Sequence, residues 1–255
     1  MSDAILSIEG IGKSFSGFHA LSRVNLQLRD RSVHALIGPN GAGKSTLLNV
    51  VSGHLAPTAG QVLFRGSPIC GRPPHETARR GIARSFQITS IFPGFTVFEN
   101  VQMALLAQQG LCSRMFRSAA SMERDEAQSL LHLVRLDGQA ERTAGELAAG
   151  DRKRLEFAIA MAGKPAVMLL DEPTAGMSPD ERAVVINLIR RINVERGVAV
   201  LFTEHDIDMV FAIADRITVL HQGSCIADGA PQSVRADRRV QEVYLGEGNE
   251  DAALH

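Results

Sequence analysis

Residues 38–45 read Gly-Pro-Asn-Gly-Ala-Gly-Lys-Ser, a complete match to G-x-x-x-x-G-K-[ST]. No other stretch limits the fold as strongly. Glycines such as Gly38, Gly41 and Gly43 let successive backbone N–H groups turn toward an anion without a Cβ in the way. Pro39, Asn40 and Ala42 complete the loop, and a helix starting near Lys44 aims the positive end of its dipole at the same anion. Lys44 brings a charge for β/γ-phosphates, and the Ser45 hydroxyl, followed by Thr46, is a hard oxygen ligand for Mg²⁺. A bare Gly-rich turn is the alternative reading. The context argues against it, because an apolar strand precedes the loop and an apolar helix follows. The loop marks a nucleoside triphosphate site and leaves open what the energy is used for.

Such a loop needs a second strand carrying an aspartate for the metal. VMLLDE at 167–172 supplies one: four apolar residues suit a central strand, and Asp171 sits where it leaves the sheet. Alternation turns Glu172 to the other face, so one carboxylate can face the metal and the other an attacking water. His205, in FTEHD, ends another apolar strand at the edge where parallel sheets bind ligands. Gln87, in ARSFQ, stands comparably after a short strand.

Around these motifs the chain alternates strand and helix at both ends, with a helical block between, which argues an α/β fold with a parallel core. The stretches ILSIEGIGKSF and RVNLQLRDRSVHALIG read as strands, and GKSTLLNVVSG as a helix ending at Gly53. Thr96 and Glu99 form a capping box before the stripe Val97, Val101, Ala104, Leu105. Ser178-Pro179-Asp180-Glu181 opens a further helix. From residue 97 to about 165 the pattern is helical, interrupted by a polar stretch near 109–121. RITVLHQGSCIADG suggests two strands about a Gly turn. Arg152, Lys153 and Arg154 read as the solvated face of a helix whose Leu155, Ala158, Ile159 and Ala162 point inward. Arg235 to Arg239 reads as one exposed C-terminal helix, and Met103, Met115, Met122 and Met161 as packing.

Composition narrows the function classes. The net charge is −1 and the pI about 6.7, so the electrostatic footprint of a nucleic-acid binder is missing. Three widely spaced cysteines (Cys70, Cys112, Cys225) make neither a disulfide framework nor a metal knuckle and suit a reducing cytosol. No apolar run approaches the roughly 20 residues of a membrane helix, so any span must come from another chain.

GPNGAGKST, Gln87, LAAGD at 147–151, VMLLDEP and His205 stand in the order and approximate spacing of an ABC-transporter ATPase subunit, and the resemblance runs from about residue 5 to 247. It implies a P-loop, RecA-like parallel core (1–90 and 165–255) with an N-terminal antiparallel β subdomain. A helical signature subdomain (about 91–164) is inserted, all within one domain spanning 1–255. It further implies ATP and Mg²⁺, with Phe15 stacking on adenine and Gln87 reaching the metal and the transmembrane partner. Asp171 would hold the metal, Glu172 polarise the water and His205 bond the γ-phosphate. Two such domains would bind head to tail, each ATP lying between one chain's P-loop and the other's signature. Permease subunits would carry the membrane span, and an extracytoplasmic solute-binding protein would act indirectly. The chain would then sit in the cytoplasm, peripheral on the inner face of the membrane.

PTAGMSPDE, the long segment before LAAGD and the ending VQEVYLGE resemble branched-chain amino acid importers, nearest the larger of their two ATPase subunits. Urea and amide importers and the lipopolysaccharide-export ATPase share much of this pattern. A regulatory subunit that clamps ATP without hydrolysing it is a second reading. A soluble ABC ATPase acting on ribosomes or DNA is a third, disfavoured by the lack of a second ATPase domain. The signature departs from the usual LSGGQ. Leu147 and Gly150 remain, but Ala148 replaces serine, Ala149 a glycine and Asp151 the glutamine. A hydroxyl donor is missing, a charge-assisted bond worth roughly 1.5–3 kcal/mol. Asp151 either repels the partner's phosphate or caps its own helix. The resulting expectation is asymmetric: the site served by LAAGD is the slower one, which favours pairing with a different ATPase subunit.

Overall fold

The computed structural model describes residues 4–85, 91–108 and 123–247. In chain order the elements are β1 (Ala4–Phe15), β2 (Phe18–Arg29), β3 (Val33–Ile37), α1 (Lys44–Val51), β4 (Ala59–Phe64), β5 (Ser67–Pro68), α2 (Pro74–Arg79) and β6 (Ile82–Ser85). Three helices follow, α3 (Val97–Gln108), α4 (Arg124–Leu133) and α5 (Ala149–Ala162). The chain then runs β7 (Val167–Asp171), α6 (Pro179–Arg196), β8 (Ala199–Thr203), α7 (Ile207–Ile213), β9 (Arg216–His221), β10 (Ser224–Gly229), α8 (Pro231–Ala236) and α9 (Arg238–Glu247).

Two sheets result. The first, ordered β2-β1-β4-β5, is antiparallel; the second, ordered β10-β9-β3-β8-β7-β6, is parallel except for the β9–β10 hairpin at its edge. Alternation along the central strands explains why both faces are covered. Val33, Ala35, Ile37, Met168, Leu170, Val200 and Phe202 point to one face and join a core built with the helices. Leu36, Val167, Leu169, Ala199 and Leu201 point to the other, where they meet α1 and the apolar side of the antiparallel sheet. The expected mixed architecture, a parallel core beside an antiparallel β unit, is thus present.

Local signals account for most helix boundaries. Thr96 and Glu99 form their reciprocal capping bonds at 3.1 and 2.7 Å, and Ser178 with Glu181 does the same ahead of α6. The stretch expected to be helical from 97 to 165 is broken, because residues 134–148 carry only two short 3-10 turns (Asp137–Gln139 and Ala144–Glu146). Arg235–Arg239 is also not one helix: it breaks at Asp237, whose carboxylate accepts from the Arg239 backbone N–H at 2.9 Å and starts α9. No helix among the described residues is long and apolar enough to cross a membrane.

The solvated-face reading of 152–154 holds only for Arg152. Lys153 is half-buried against Glu156 at 3.5 Å, and burial lowers its pKa from the ordinary value. Arg154 turns back to donate to the carbonyl of Arg135 at 2.9 Å and to Asp151. The charged ends of both thus find partners within the chain. Met161 is buried and Met103 partly so, whereas Met115, Met122 and Cys112 lie outside the described residues.

Candidate active site

Parallel pairing brings the motifs to one edge. Leu36 of β3 is in register with Thr203 of β8, and Thr203 with Asp171 of β7. The loop after β3, the acids after β7 and His205 after β8 therefore emerge side by side at the C-terminal edge, where open α/β sheets place their ligands.

The loop is braced from two sides. A Cβ on Gly38 would stand 2.1 Å from the Leu220 carbonyl oxygen, and one on Gly43 2.7 Å from that of Ala20. Gly43 also has φ +103°, a backbone that side-chain-bearing residues rarely adopt, immediately before α1 begins. The β9–β10 turn locks the arrangement: the Gly223 N–H donates to Ala42 O at 3.0 Å, and the Ser22 N–H donates to Gly223 O at 2.8 Å. Lys44 is 6% exposed, and its ammonium donates to the carbonyls of Gly38 (2.6 Å) and Pro39 (3.0 Å). Its charge is thereby held over the loop that the dipole of α1 also serves.

Asp171 and Ser45 meet at the end of β7. The Ser45 hydroxyl donates to Asp171 Oδ1 at 3.2 Å, and Thr203 Oγ1 donates to the same oxygen at 2.8 Å. A hydroxyl and a carboxylate beside a phosphate cradle suit a hard cation that takes its remaining oxygens from phosphates and water, as Mg²⁺ does. Among the described residues there is no cluster of three or more His, Cys, Asp or Glu that would cage a metal by protein alone.

Glu172 adopts φ +48°, costly for a residue with a side chain. Its N–H is held by both the carbonyl (3.2 Å) and the hydroxyl (3.1 Å) of Thr203. This conformation swings the Glu172 carboxylate to His205 Nε2 at 2.8 Å, with both side chains partly exposed. Behind them Glu204, 4% exposed, accepts from the N–H (2.9 Å) and hydroxyl (2.6 Å) of Thr174 and from the His205 N–H (3.1 Å).

The remaining sequence-derived positions are more dispersed. Phe15 ends β1 with 43% of its surface exposed and the Lys13 ammonium 5.0 Å from its ring centre. Phe18, 67% exposed, faces it across the hairpin end. Gln87 lies outside the described residues. In the signature, Leu147 is buried, Ala148 precedes α5 without a side-chain cap, and Ala149 and Gly150 open the helix. Gly150 needs no special backbone, and a Cβ there would make only an ordinary 3.5 Å contact with Glu181. Asp151 turns to side chains of its own chain rather than to the backbone N–H groups that open α5. It accepts from Gln139 Nε2 at 2.7 Å and from Arg154, so its charge is compensated within the chain.

Four elements of the site were missed in the sequence. Thr203 and Glu204 are long-range partners whose only local trace is a polar pair closing an apolar strand. The turn at Gln222-Gly223 supports the loop from across the sheet. Arg84 on β6 donates to Asp171 Oδ2 at 3.2 Å. Its signal was available: it shares a face with Ile82 in a strand that must be buried. Phe92 and Phe95, exposed with ring centres 5.3 Å apart, were also not anticipated. The loop that carries them is pinned by buried Asn100, which accepts from the Phe92 N–H at 2.8 Å.

Comparison with known proteins gives a consistent picture. The chain matches the family model "ABC transporter" over residues 21–175 and "Branched-chain amino acid ATP-binding cassette transporter" over residues 224–250. It is 39% identical to the high-affinity branched-chain amino acid transport ATP-binding protein LivG of Escherichia coli (strain K12), over 97% of this chain and 100% of that protein. It is 38% identical to the corresponding protein BraF of Pseudomonas aeruginosa over 97% and 100%, respectively. The lipopolysaccharide export system ATP-binding protein LptB of Haemophilus influenzae is 34% identical over 96% of this chain and 98% of that one. Among solved structures, the ADP conformation of MJ1267, an ATP-binding cassette of an ABC transporter, superposes with a TM-score of 0.83 at 31% identity. That match covers 96% of this chain and 100% of that one. The dimeric structure of MJ0796, a bacterial ABC transporter cassette, gives 0.73 at 26% identity, covering 89% and 98%.

Proposed function

The chain belongs to the ABC transporter family, and from that premise we propose that it is the ATP-hydrolysing subunit of a transporter for branched-chain amino acids. The observation that carries the catalytic part is the meeting of Ser45, Asp171, Glu172 and His205 at one edge of the sheet, beside the braced loop. Two matches support the substrate: the segment 224–250 and the full-length relatives from Escherichia coli and Pseudomonas aeruginosa. The 34% identity with a lipopolysaccharide-export ATPase supports the alternative of an exporter motor.

Each group has a task in phosphoryl transfer. The N–H groups of residues 38–46 and the Lys44 ammonium hold the β- and γ-phosphates, with Phe15 on the adenine side. Ser45 and Asp171 would hold Mg²⁺, with Gln87 completing the set, and the metal would neutralise charge on the phosphate oxygens. Glu172 orients the attacking water and accepts its proton as the bond to phosphorus forms and the bond to the ADP oxygen breaks. With its proton on Nε2, His205 donates to Glu172 and fixes the carboxylate, then offers the same edge of its ring to the γ-phosphate.

The signature residues Leu147, Ala148, Ala149, Gly150 and Asp151 face a partner ATPase across a dimer of the kind known for MJ0796. Gly150, which nothing in its own helix requires, fits a close approach by the partner's nucleotide. The absent hydroxyl at Ala148 favours a heterodimer in which the partner supplies a complete signature. Permease subunits hold the assembly on the cytoplasmic face of the membrane, and the exposed Phe92–Phe95 pair offers them an apolar contact.

The test is reconstitution in proteoliposomes with permeases, the second ATPase and a solute-binding protein. ATP turnover is expected to rise when leucine, isoleucine or valine is supplied. Basal turnover that ignores all three would overturn the substrate and leave the ATPase.

A further inference from the structure

Arg84 is a charged side chain inside a covered sheet, and none of the roles above uses it. Its side chain is 5% exposed. Pairing with Leu169 places it on the sheet face that carries Ile82, Leu169 and Asp171 and that packs against α1. From there the guanidinium reaches three groups. Nη2 donates to Asp171 Oδ2 at 3.2 Å, and Nη1 donates to Ser52 Oγ at 3.0 Å and to Asn49 Oδ1. Its Nε is buried with no hydrogen-bond partner. A buried cation with one donor unsatisfied is costly, and an apolar residue on this strand would avoid that cost. Something about the site must therefore need the charge.

The partners say what. Asp171 offers one oxygen to Ser45 and Thr203 and the other to Arg84. A carboxylate torsion is soft and nearly two-fold, so without a donor on Oδ2 it is free to turn. Asn49 and Ser52 belong to the far end of α1, whose first turn carries Lys44 and Ser45. One planar fork thus ties the helix that starts at the phosphate loop to the strand that ends at the acid.

We propose that Arg84 is the positioning residue of the metal–nucleotide site, fixing which oxygen of Asp171 meets Ser45 and holding α1 against the end of β7. The inference rests on the ATPase reading above. Groups that orient a metal ligand without touching the metal typically change metal affinity about 10- to 100-fold when removed.

The experiment uses the full chain with ADP, and Mn²⁺ as a paramagnetic stand-in for Mg²⁺. Wild type, Arg84→Met, Arg84→Lys and Asn49→Ala are compared by metal-free ADP binding, by Mn²⁺ titration read by electron paramagnetic resonance, and by thermal melting. Arg84→Met is expected to bind ADP without metal within about threefold of wild type but to need about tenfold or more Mn²⁺ for half-saturation, with an altered spectrum. Arg84→Lys is expected to fall between the two, because a single ammonium nitrogen keeps the charge but cannot occupy both of the separate positions from which Nη1 and Nη2 donate. Asn49→Ala is expected to keep the wild-type spectrum with a small rise in Mn²⁺ requirement. A wild-type Mn²⁺ titration in Arg84→Met, or an equal loss of ADP binding with and without metal, overturns the proposal. Should Arg84→Met not fold, a wild-type titration in Arg84→Lys overturns it equally. Wild-type chain that fails to bind ADP at all would refute the ATPase reading itself, a result separate from any ranking of the variants.

Discussion

The Glu172 carboxylate and the His205 imidazole meet at 2.8 Å, although one residue follows β7 and the other follows β8. Neither is placed by its own strand alone. Thr203 holds the Glu172 N–H in a left-handed conformation, and Glu204 holds the His205 N–H. The meeting of the two side chains is a product of strand pairing.

Glu172→Gln keeps the shape and the contact with His205 but cannot accept the water's proton. Turnover is expected to fall by about 10²–10⁴-fold while ATP affinity stays near wild type. Steady-state hydrolysis beside equilibrium binding of ATP decides it. Unchanged turnover would remove Glu172 from the mechanism.

Thr203→Val tests the bridge between the acids. The side chain is fully buried and donates to Asp171 while accepting from the Glu172 N–H. Valine has the same shape without the hydroxyl, so a loss of about 1–3 kcal/mol in unfolding free energy is expected. Turnover should fall with it, at nearly unchanged metal-free nucleotide affinity. A variant as active as wild type would mean that Thr203 only packs.

The signature makes two separable claims. Ala148→Ser restores the hydroxyl and is expected to raise turnover at the partner's site by roughly 10-fold or more, the worth of one charge-assisted bond. Asp151→Asn should leave ATP affinity at that site unchanged, because the charge it removes is already matched by Arg154 and Gln139. A large gain in affinity from Asp151→Asn would show that the carboxylate does reach the partner's phosphate.

His34 gives the fold a pH dependence away from the site. It is buried on β3, with Nε2 2.8 Å from Thr218 Oγ1. Burial pushes its pKa down to about 4, against the opposing pull of Asp228. Unfolded, the same ring titrates near its ordinary value of about 6.5, so between the two values only the unfolded chain takes up the proton. Stability from this group is complete above about pH 6.5 and drains away toward pH 4, by up to about 3 kcal/mol. Urea unfolding at about pH 7 and pH 4.5 is expected to show a larger loss in wild type than in His34→Gln. Equal losses would contradict it.

The residues legible in the sequence were those whose chemistry is written locally. GPNGAGKS needs only its own spacing and flanks, and Asp171-Glu172 needs only the end of an apolar strand. Capping boxes at Thr96 and Ser178 were equally direct. What stayed hidden depends on pairing between distant strands. Thr203 is a partner of Asp171 only because β7 and β8 are neighbours in register, and Arg84 reaches Asp171 only because β6 joins the far side of β7. The misreading of Arg154 has a related cause. Helical periodicity says which way a residue points, and it cannot see the loop at 134–148 that folds back over that face.

Glu204 joins two segments that separate strands deliver. Thr174, just past Glu172, donates to Glu204 twice, and the His205 N–H donates once. The buried carboxylate works as a bolt through both loops, so the stretch leading to Ser178 cannot shift without carrying the imidazole along. A neighbouring subunit that presses on that stretch would reset the histidine at the same moment. A displacement on either side of Glu204 would then be felt at once on the other.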